Sequence, residues 1–331
     1  MISLNSLTPH LIYSFRSEHE LVQSIEELSH NFTKNRDSIS DYLKDKRLVA
    51  AYTLFYLSTN IGKWNELIKR CDQGLIDRMK KMDFIDVGAG PGTFSLAFRL
   101  WGGTGDVYQI EKSDLMREQA QHLWNGLKME GNLHQRYVHT QKEKILFFGH
   151  SANEMKRDEV CRLIDEINPE VVIFIEPGTK DFFSEILSIR THLIAQHFNL
   201  EFPCPTLEAC PMRKSSEDWC HQFIHLKHSP EIERLCQLVK KDRKLLPIIF
   251  HVYTRQKTIQ ENTIIVRVLP ETKFSFEWQV CLGDEIKHWQ IMKKDYSKDQ
   301  QKILAQALSG DRYKAQVIKA FDQTLRVKII F

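Results

Sequence analysis

With 331 residues, 42% of them apolar and 27% charged, the chain has the make-up of a soluble globular protein of roughly two domains, which excludes disordered, collagen-like and coiled-coil architectures. Its net charge is only +3, divided as −3 over residues 1–200 and +6 over residues 201–331. Seven Cys, unevenly spaced, are too few for a secreted disulfide scaffold. The opening MISLNSLTPHLIYSF lacks a basic segment followed by an apolar core, and no run approaches the ~18 apolar residues of a membrane span. The expectation is a cytoplasmic protein of a reducing compartment that makes no membrane contact, in which clustered Cys bind metal or do chemistry.

Residues 1–80 read as helical, with Leu43, Leu48, Tyr52 and Phe55 near helical spacing. From Lys81 the period changes. Phe84–Val87, Asp106–Ile110, Ile145–Phe148 and Val171–Ile175 are short apolar runs of the kind expected in strands buried on both faces. Between and after them come helical stretches at Phe94–Trp101, Leu115–Leu127, Asn153–Ile167 and Asp181–Phe198. This alternation predicts a doubly wound parallel α/β sheet over residues 81–199. Residues 200–230 are dense in Cys, Pro, His and Trp. A helix near Glu231–Arg243 follows, then β-like runs at Ile248–Tyr253, Thr263–Val268, Phe274–Val280 and His288–Met292, a helix at Lys298–Leu308 and an apolar ending at Val327–Phe331. The predicted organisation is therefore a helical region (1–80), an α/β core (81–199) and a Cys-rich, β-containing part (200–331).

Glycine makes up only about 4% of the chain, yet six of its 14 glycines fall within Gly88–Gly105. Asp86-Val-Gly88-Ala-Gly90-Pro-Gly92-Thr93 stands between an apolar strand and an apolar helix. Glycines there let the backbone turn tightly and approach a ligand, and the helix start offers unpaired N–H groups. The dinucleotide fingerprint fails because Thr93 occupies its third glycine position, and no Gly-Lys-Ser/Thr follows to make a P-loop. The string resembles motif I of class I S-adenosylmethionine (SAM)-dependent methyltransferases. That resemblance implies an acid at the end of the next strand, where Glu111 stands 25 residues beyond Asp86. A carboxylate can accept from two vicinal ribose hydroxyls. The cofactor-binding set is thus Asp86, Gly88, Gly90, Gly92, Thr93 and Glu111. Catalytic residues stay unassigned; His150 and Asn153, after the third apolar run, are the candidates for acceptor contact.

Lys240, Lys241, Arg243 and Lys244, followed by Arg255 and Lys257, form the densest basic stretch, which could meet phosphates or cap a solvated helix end. Cys204-Pro205, Cys210-Pro211 and Cys220-His221 place three thiols within 17 residues, two of them followed by Pro. That pattern suggests metal ligands on an irregular loop. Paired C-x₂-C zinc knuckles are absent. A fourth ligand could be Cys281 or Cys236, or His221, His225 or His228 if the metal is zinc.

Val172-Ile-Phe-Ile-Glu176-Pro-Gly178-Thr179, a following helix with Arg190, and the Cys-Pro, Cys-Pro and Asp218-Trp219-Cys220-His221 strings together resemble the Rsm-type family of methyltransferase-like ribosome-assembly proteins. The resemblance runs from about Ala50 to Asp311. It implies a class I methyltransferase fold, SAM, a [4Fe–4S] cluster, and contact with small-subunit rRNA or its assembly intermediates by a chain monomeric outside the ribosome. Eukaryotic relatives are mitochondrial. It also implies a fourth cluster ligand downstream of an Arg-x-x-x-Pro-like run, which favours Cys281, after Arg267-Val-Leu-Pro270, over Cys236. Cys204, Cys210, Cys220 and Cys281 are then the cluster ligands. Thr206 replaces the family's usual His, and Lys244-Leu-Leu-Pro replaces an acidic-aromatic stretch. Two other readings remain open: a non-catalytic RNA-binding assembly factor with a vestigial pocket, and a zinc-bearing small-molecule methyltransferase.

Overall fold

A computed structural model of the chain describes residues 3–34, 44–215, 218–257 and 263–331. The chain divides into two compact units, the first drawn from Met1–Ser151, Glu166–Glu170 and His225–Leu246, the second from Ala152–Asp165, Val171–Ile224 and Pro247–Phe331. Among the described residues, no helix is long and apolar enough to cross a membrane.

In the first unit, β1 (Asp83–Val87) is buried along its whole length. It pairs in parallel with β2 (Val107–Ile110) on one side, and β2 carries the two-residue β3 (Leu133–His134) beyond it. On its other side β1 pairs in parallel with β4 (Lys144–Gly149), Asp83 opposite Lys144 and Val87 opposite Phe148. Parallel neighbours need crossover connections, and the helices Thr93–Leu100 and Asp114–Gly126 supply those leaving β1 and β2. Because β1 and β4 are covered on both faces, they read as continuous apolar runs. Trp64, 1% exposed, packs edge-on against Phe84 and Phe98, with ring centroids 5.5 and 6.1 Å away, and tilts against Phe147 at 5.7 Å. The N-terminal helices Glu18–Lys34 and Lys46–Tyr52 share a second apolar cluster with the helix Pro230–Leu238, through Ile25, Leu28, Leu48, Ile232 and Leu235.

The second unit holds β5 (Val171–Pro177), β6 (Asn199–Phe202), all but the last residue of β7 (Gln222–His225) and all but the first two of β8 (Leu245–Thr254). β8 runs antiparallel to both β5 and β6, and β7 pairs with it. A separate five-stranded sheet has the order β12-β13-β11-β10-β9. Its strands are β9 (Ile264–Leu269), β10 (Ser275–Cys281), β11 (Ile286–Met292), β12 (Lys314–Phe321) and β13 (Thr324–Ile330). Trp278, Trp289, Ile291, Val327 and Ile329 form its core with Leu304 of the helix Lys298–Ala305.

A parallel sheet entered through a glycine turn, crossover helices on its faces, and an antiparallel strand later in the chain make up the Rossmann-like class I methyltransferase fold expected from the sequence. The details differ in places. The helix expected at Asn153–Ile167 is a 3₁₀ turn at Ala152–Glu154 and an α-helix at Arg157–Ile167, and that expected to reach Arg243 stops at Leu238, beyond which Lys240 turns left-handed at φ 52°. β12 has no clear sequence signal because all but one of its residues are exposed, so the alternation of a half-buried strand is missing.

Candidate functional site

The turn after β1 runs left-handed at Gly88, Gly90 and Gly92, with φ of 66°, 54° and 83°. A Cβ on Gly88 would lie 2.5 Å from the Ser151 Cβ, so that position is closed to a side chain on steric grounds as well, while at Gly92 the nearest atom is the movable Gln109 Nε2 at 2.9 Å and the positive φ is the constraint. At Gly90 the one atom within 4 Å of such a Cβ among the described residues is Tyr52 Cε1, at 4.0 Å, which leaves space at the tip of the turn. Gly92 is the N-cap of Thr93–Leu100 and offers that helix no side-chain acceptor. Thr93, its first residue, is buried.

Two carboxylates brace the turn. Asp86, 1% exposed, accepts from the backbone N–H of Ser95 at 3.0 Å and from its hydroxyl at 2.7 Å, and Gln109 Nε2 donates to the same hydroxyl oxygen at 3.1 Å. Burial pushes the Asp86 carboxyl up to about 7 against the pull of the Ser95 hydrogen bonds, with the nearby Glu111 charge adding to the rise. Glu111 accepts from Gly90 N–H and from Ser113 N–H, both at 2.8 Å. Each carboxylate oxygen has a second lone pair, so Glu111 retains capacity for hydroxyl donors. The structure thus brings Asp86, Gly88, Gly90, Gly92, Thr93 and Glu111 together.

His150, half-buried at the end of β4 with φ 60°, has its Nε2 2.6 Å from Nζ of the buried Lys63. Burial, with the cations Lys63 and Arg243, holds its imidazole well below the usual histidine range. Neutral imidazole with Nε2 accepting from an ammonium carries its proton on Nδ1. Asn153 sits exposed on the 3₁₀ turn of the second unit, next to Ala152, whose N–H donates to the buried Glu176 at 2.9 Å. Of the basic stretch, Arg243 turns inward, donating to Asn60 Oδ1 at 2.9 Å, while Lys244 pairs with Glu233 at 3.1 Å. Both line a cavity of about 310 Å³ with His228, Lys240 and Lys241.

In the second unit the cysteine loop is held by two guanidinium groups. Arg190, 4% exposed, donates to the carbonyls of Thr206 at 2.9 Å and Glu208 at 2.7 Å. Arg312 donates to those of Glu201 at 2.9 Å and Pro203 at 3.2 Å. Cys204 therefore lies in a backbone stretch clamped on both sides. Trp219 Nε1 donates to the Gly178 carbonyl at 2.9 Å, and Arg267 pairs with Asp218, which positions Cys220. Cys281 ends β10, and Gly283 just beyond it comes so close to Thr206 that a Cβ there would lie 2.4 Å from the Thr206 methyl. Burial pushes the Cys204 thiol up to about 11 and the Cys281 thiol up to about 12, and raises Cys210 and Cys220 as well. Cys220 also feels Cys204, Cys210 and Cys281, so the four thiols lie within one another's fields. Among the described residues, no group of three or more His, Cys, Asp or Glu side chains is arranged to hold a metal ion.

The profile of the family described as mitochondrial small ribosomal subunit Rsm22 matches residues 46–316. The chain belongs to the Rsm22 family. No curated protein matches it. Among solved structures, magnesium protoporphyrin IX methyltransferase of Synechocystis PCC 6803 with bound SAM is 11% identical, over 73% of this chain and 100% of its own, at a TM-score of 0.38. M. capricolum TrmK with S-adenosylhomocysteine is 7% identical, over 59% and 69%, at 0.36. A SAM-dependent methyltransferase of Clostridium acetobutylicum is 12% identical, over 58% and 90%, at 0.35.

Several groups of this Rsm22-family chain have no sequence signal as site residues. Lys63 lies in the N-terminal helical region, 87 residues from His150, and nothing local marks it. His251 and Tyr253 form a buried pair on β8, Nδ1 to hydroxyl 2.7 Å; burial, with Arg190, lowers the imidazole to about 3. Their two-residue spacing is that of one strand face, but burial of both is a tertiary fact. Arg190 carries a signal only through family resemblance.

The buried Asp86 gives a pH signature. The unfolded carboxyl ionises near pH 4 while the folded one keeps its proton up to about 7, so the contribution of Asp86 to stability falls as pH rises through that window. Thermal melts of wild type and Asp86→Asn should diverge in favour of the variant between about pH 4 and about 7 and run level below it. A difference that stays constant across this range would contradict the burial of a protonated Asp86.

Proposed function

We propose that this chain is a SAM-binding, methyltransferase-like protein that acts on small-subunit rRNA or during assembly of the small ribosomal subunit, with a [4Fe–4S] cluster on Cys204, Cys210, Cys220 and Cys281. The observation that carries the cofactor reading is the open glycine turn with Glu111 hydrogen-bonded to its tip. SAM's ribose hydroxyls suit the remaining lone pairs of Glu111, and the glycine turn lets a ligand approach the backbone closely. Methyl transfer asks chiefly for in-line placement of a nucleophile against the sulfonium. His150, held by Lys63 Nζ at 2.6 Å, is the candidate for contact with the acceptor.

The ribosomal reading rests on the Rsm22 family match, described as a mitochondrial small ribosomal subunit family, and agrees with the basic bias after residue 200. Two features support the cluster: four thiols that share a field, and a loop whose carbonyls are fixed by Arg190 and Arg312. Soft thiolates are the donors iron–sulfur chemistry takes. All four thiols would give up protons on loading, so assembly should be favoured by raising pH. When bound, the group would supply a cross-link between the Cys204–Cys220 loop and β10, contributing to folding stability.

Calorimetric titration with SAM should give one site per chain. Glu111→Gln should weaken binding about 10- to 100-fold, the worth of hydrogen bonds to a charged group, and Gly88→Ala should abolish it. Absence of binding by folded wild type at millimolar SAM would refute the cofactor reading. After anaerobic purification, wild type should contain iron and sulfide and absorb broadly near 400 nm. Cys204→Ser, Cys210→Ser, Cys220→Ser and Cys281→Ser should each lose this, while Cys71→Ser, Cys161→Ser and Cys236→Ser keep it. Stoichiometric zinc without iron would overturn the assignment.

A further inference from the structure

The β12–β13 hairpin has two unlike faces. Its register sets Ala315 opposite Ile329, Val317 opposite Val327 and Ala320 opposite Leu325, and Leu325, Val327 and Ile329 pack into the core of the five-stranded sheet. Side chains alternate along a strand, so the residues between them point the other way. That face carries Lys314 beside Ile330, Gln316 beside Lys328, Lys319 beside Arg326, and Phe321 beside Thr324. From Lys314 to Phe331 the cations are Lys314, Lys319, Arg326 and Lys328 and the one acid is Asp322 at the turn, so the hairpin alone carries the +3 of the whole chain. Phe321 is 46% exposed, and Lys319 Nζ stands 4.5 Å from its ring centroid.

β12 is an edge strand, and natural sheets protect such edges with lysines and bulges. The bulge between Val317 and Lys319, and Lys319 itself, fit that purpose. Edge protection does not account for Lys328 on β13, paired on both sides by β12 and β11, nor for its neighbour Arg326, which stands 3.7 Å from Asp295 and keeps its guanidinium partly exposed. Nor does it account for Ile318 and Phe321, each about half exposed, since apolar groups make an edge more adhesive.

We propose that the outward face of this hairpin docks single-stranded RNA. Same-face cations two residues apart, such as Arg326 and Lys328, are spaced by about 7 Å along a strand, suited to tracking a sugar–phosphate backbone. The exposed Phe321 ring offers a base a stacking platform. A duplex fits less well, because paired bases cannot reach a ring on a flat sheet face. The partner rests on the ribosomal-RNA reading above; the surface rests on the hairpin's own residues.

The test uses the full chain and fluorescence anisotropy with a labelled oligouridine RNA of about 12 nucleotides. The triple variant Lys319→Gln/Arg326→Gln/Lys328→Gln should bind at least about tenfold more weakly near 100 mM salt, and its log Kd–log salt slope should fall by about 2, at ~0.7 per lost phosphate contact. Phe321→Ala should weaken binding about five- to hundredfold at an unchanged slope, and Phe321→Trp should restore it. Melting temperatures equal to wild type establish that the variants fold. If wild type binds and both variants bind equally well, the hairpin assignment is wrong while the RNA reading stands. If wild type ignores the RNA, the RNA reading itself falls. If instead the variants lose a concentration-dependent dimer in sedimentation and keep RNA affinity, the face is a protein contact and the proposal is overturned.

Discussion

The left-handed turn between β1 and the helix beginning at Thr93 is the constraint on which the first unit is arranged. Three residues with φ between 54° and 83° reverse the chain out of a fully buried strand, which only glycine does without strain. Their conformation is then held by Asp86, bonded to the helix start at Ser95, and by Glu111 just after β2, bonded to the Gly90 N–H. Burying Asp86 is costly enough to keep it protonated up to about pH 7. The fold accepts that cost because the carboxyl satisfies Ser95, whose hydroxyl also receives Gln109. The turn's own N–H groups are bonded, Gly88 to Ile110, Gly90 to Glu111 and Gly92 to Ala89, and what remains is a carboxylate with spare lone pairs, suited to a ligand with hydroxyls.

The second unit solves a different problem. A loop rich in Pro and Cys has no ladder to satisfy its carbonyls, and buried carbonyls need donors. Arg190 and Arg312 supply four such bonds between them, so the stretch around Cys204 is fixed without regular secondary structure. The same guanidinium groups place positive charge beside buried thiols. In the cluster reading this charge compensates the negative charge of four thiolates.

The sequence conveys the core of this architecture because its strands are buried on both faces. Phe84–Val87, Ile145–Phe148 and Val171–Ile175 are continuous apolar runs for that reason, and the glycine turn is visible because the chain is otherwise poor in glycine. β12 is illegible for the opposite reason: an exposed edge strand imposes no alternation. Long-range pairings are equally hidden. Lys63 and His150 come from a helix and a strand end far apart in sequence, and the helix Pro230–Leu238 packs with helices more than 170 residues earlier, through positions that look like any amphipathic face. Family resemblance, rather than spacing, singles out Cys281 among the possible fourth ligands.

A crystal structure with S-adenosylhomocysteine bound tests the account most directly. The ribose hydroxyls should lie within hydrogen-bond distance of the Glu111 carboxylate, about 2.5–3.0 Å, with the amino-acid end against Gly88–Gly90. A ligand seated elsewhere, with Glu111 still bonded only to Gly90 and Ser113, would contradict it.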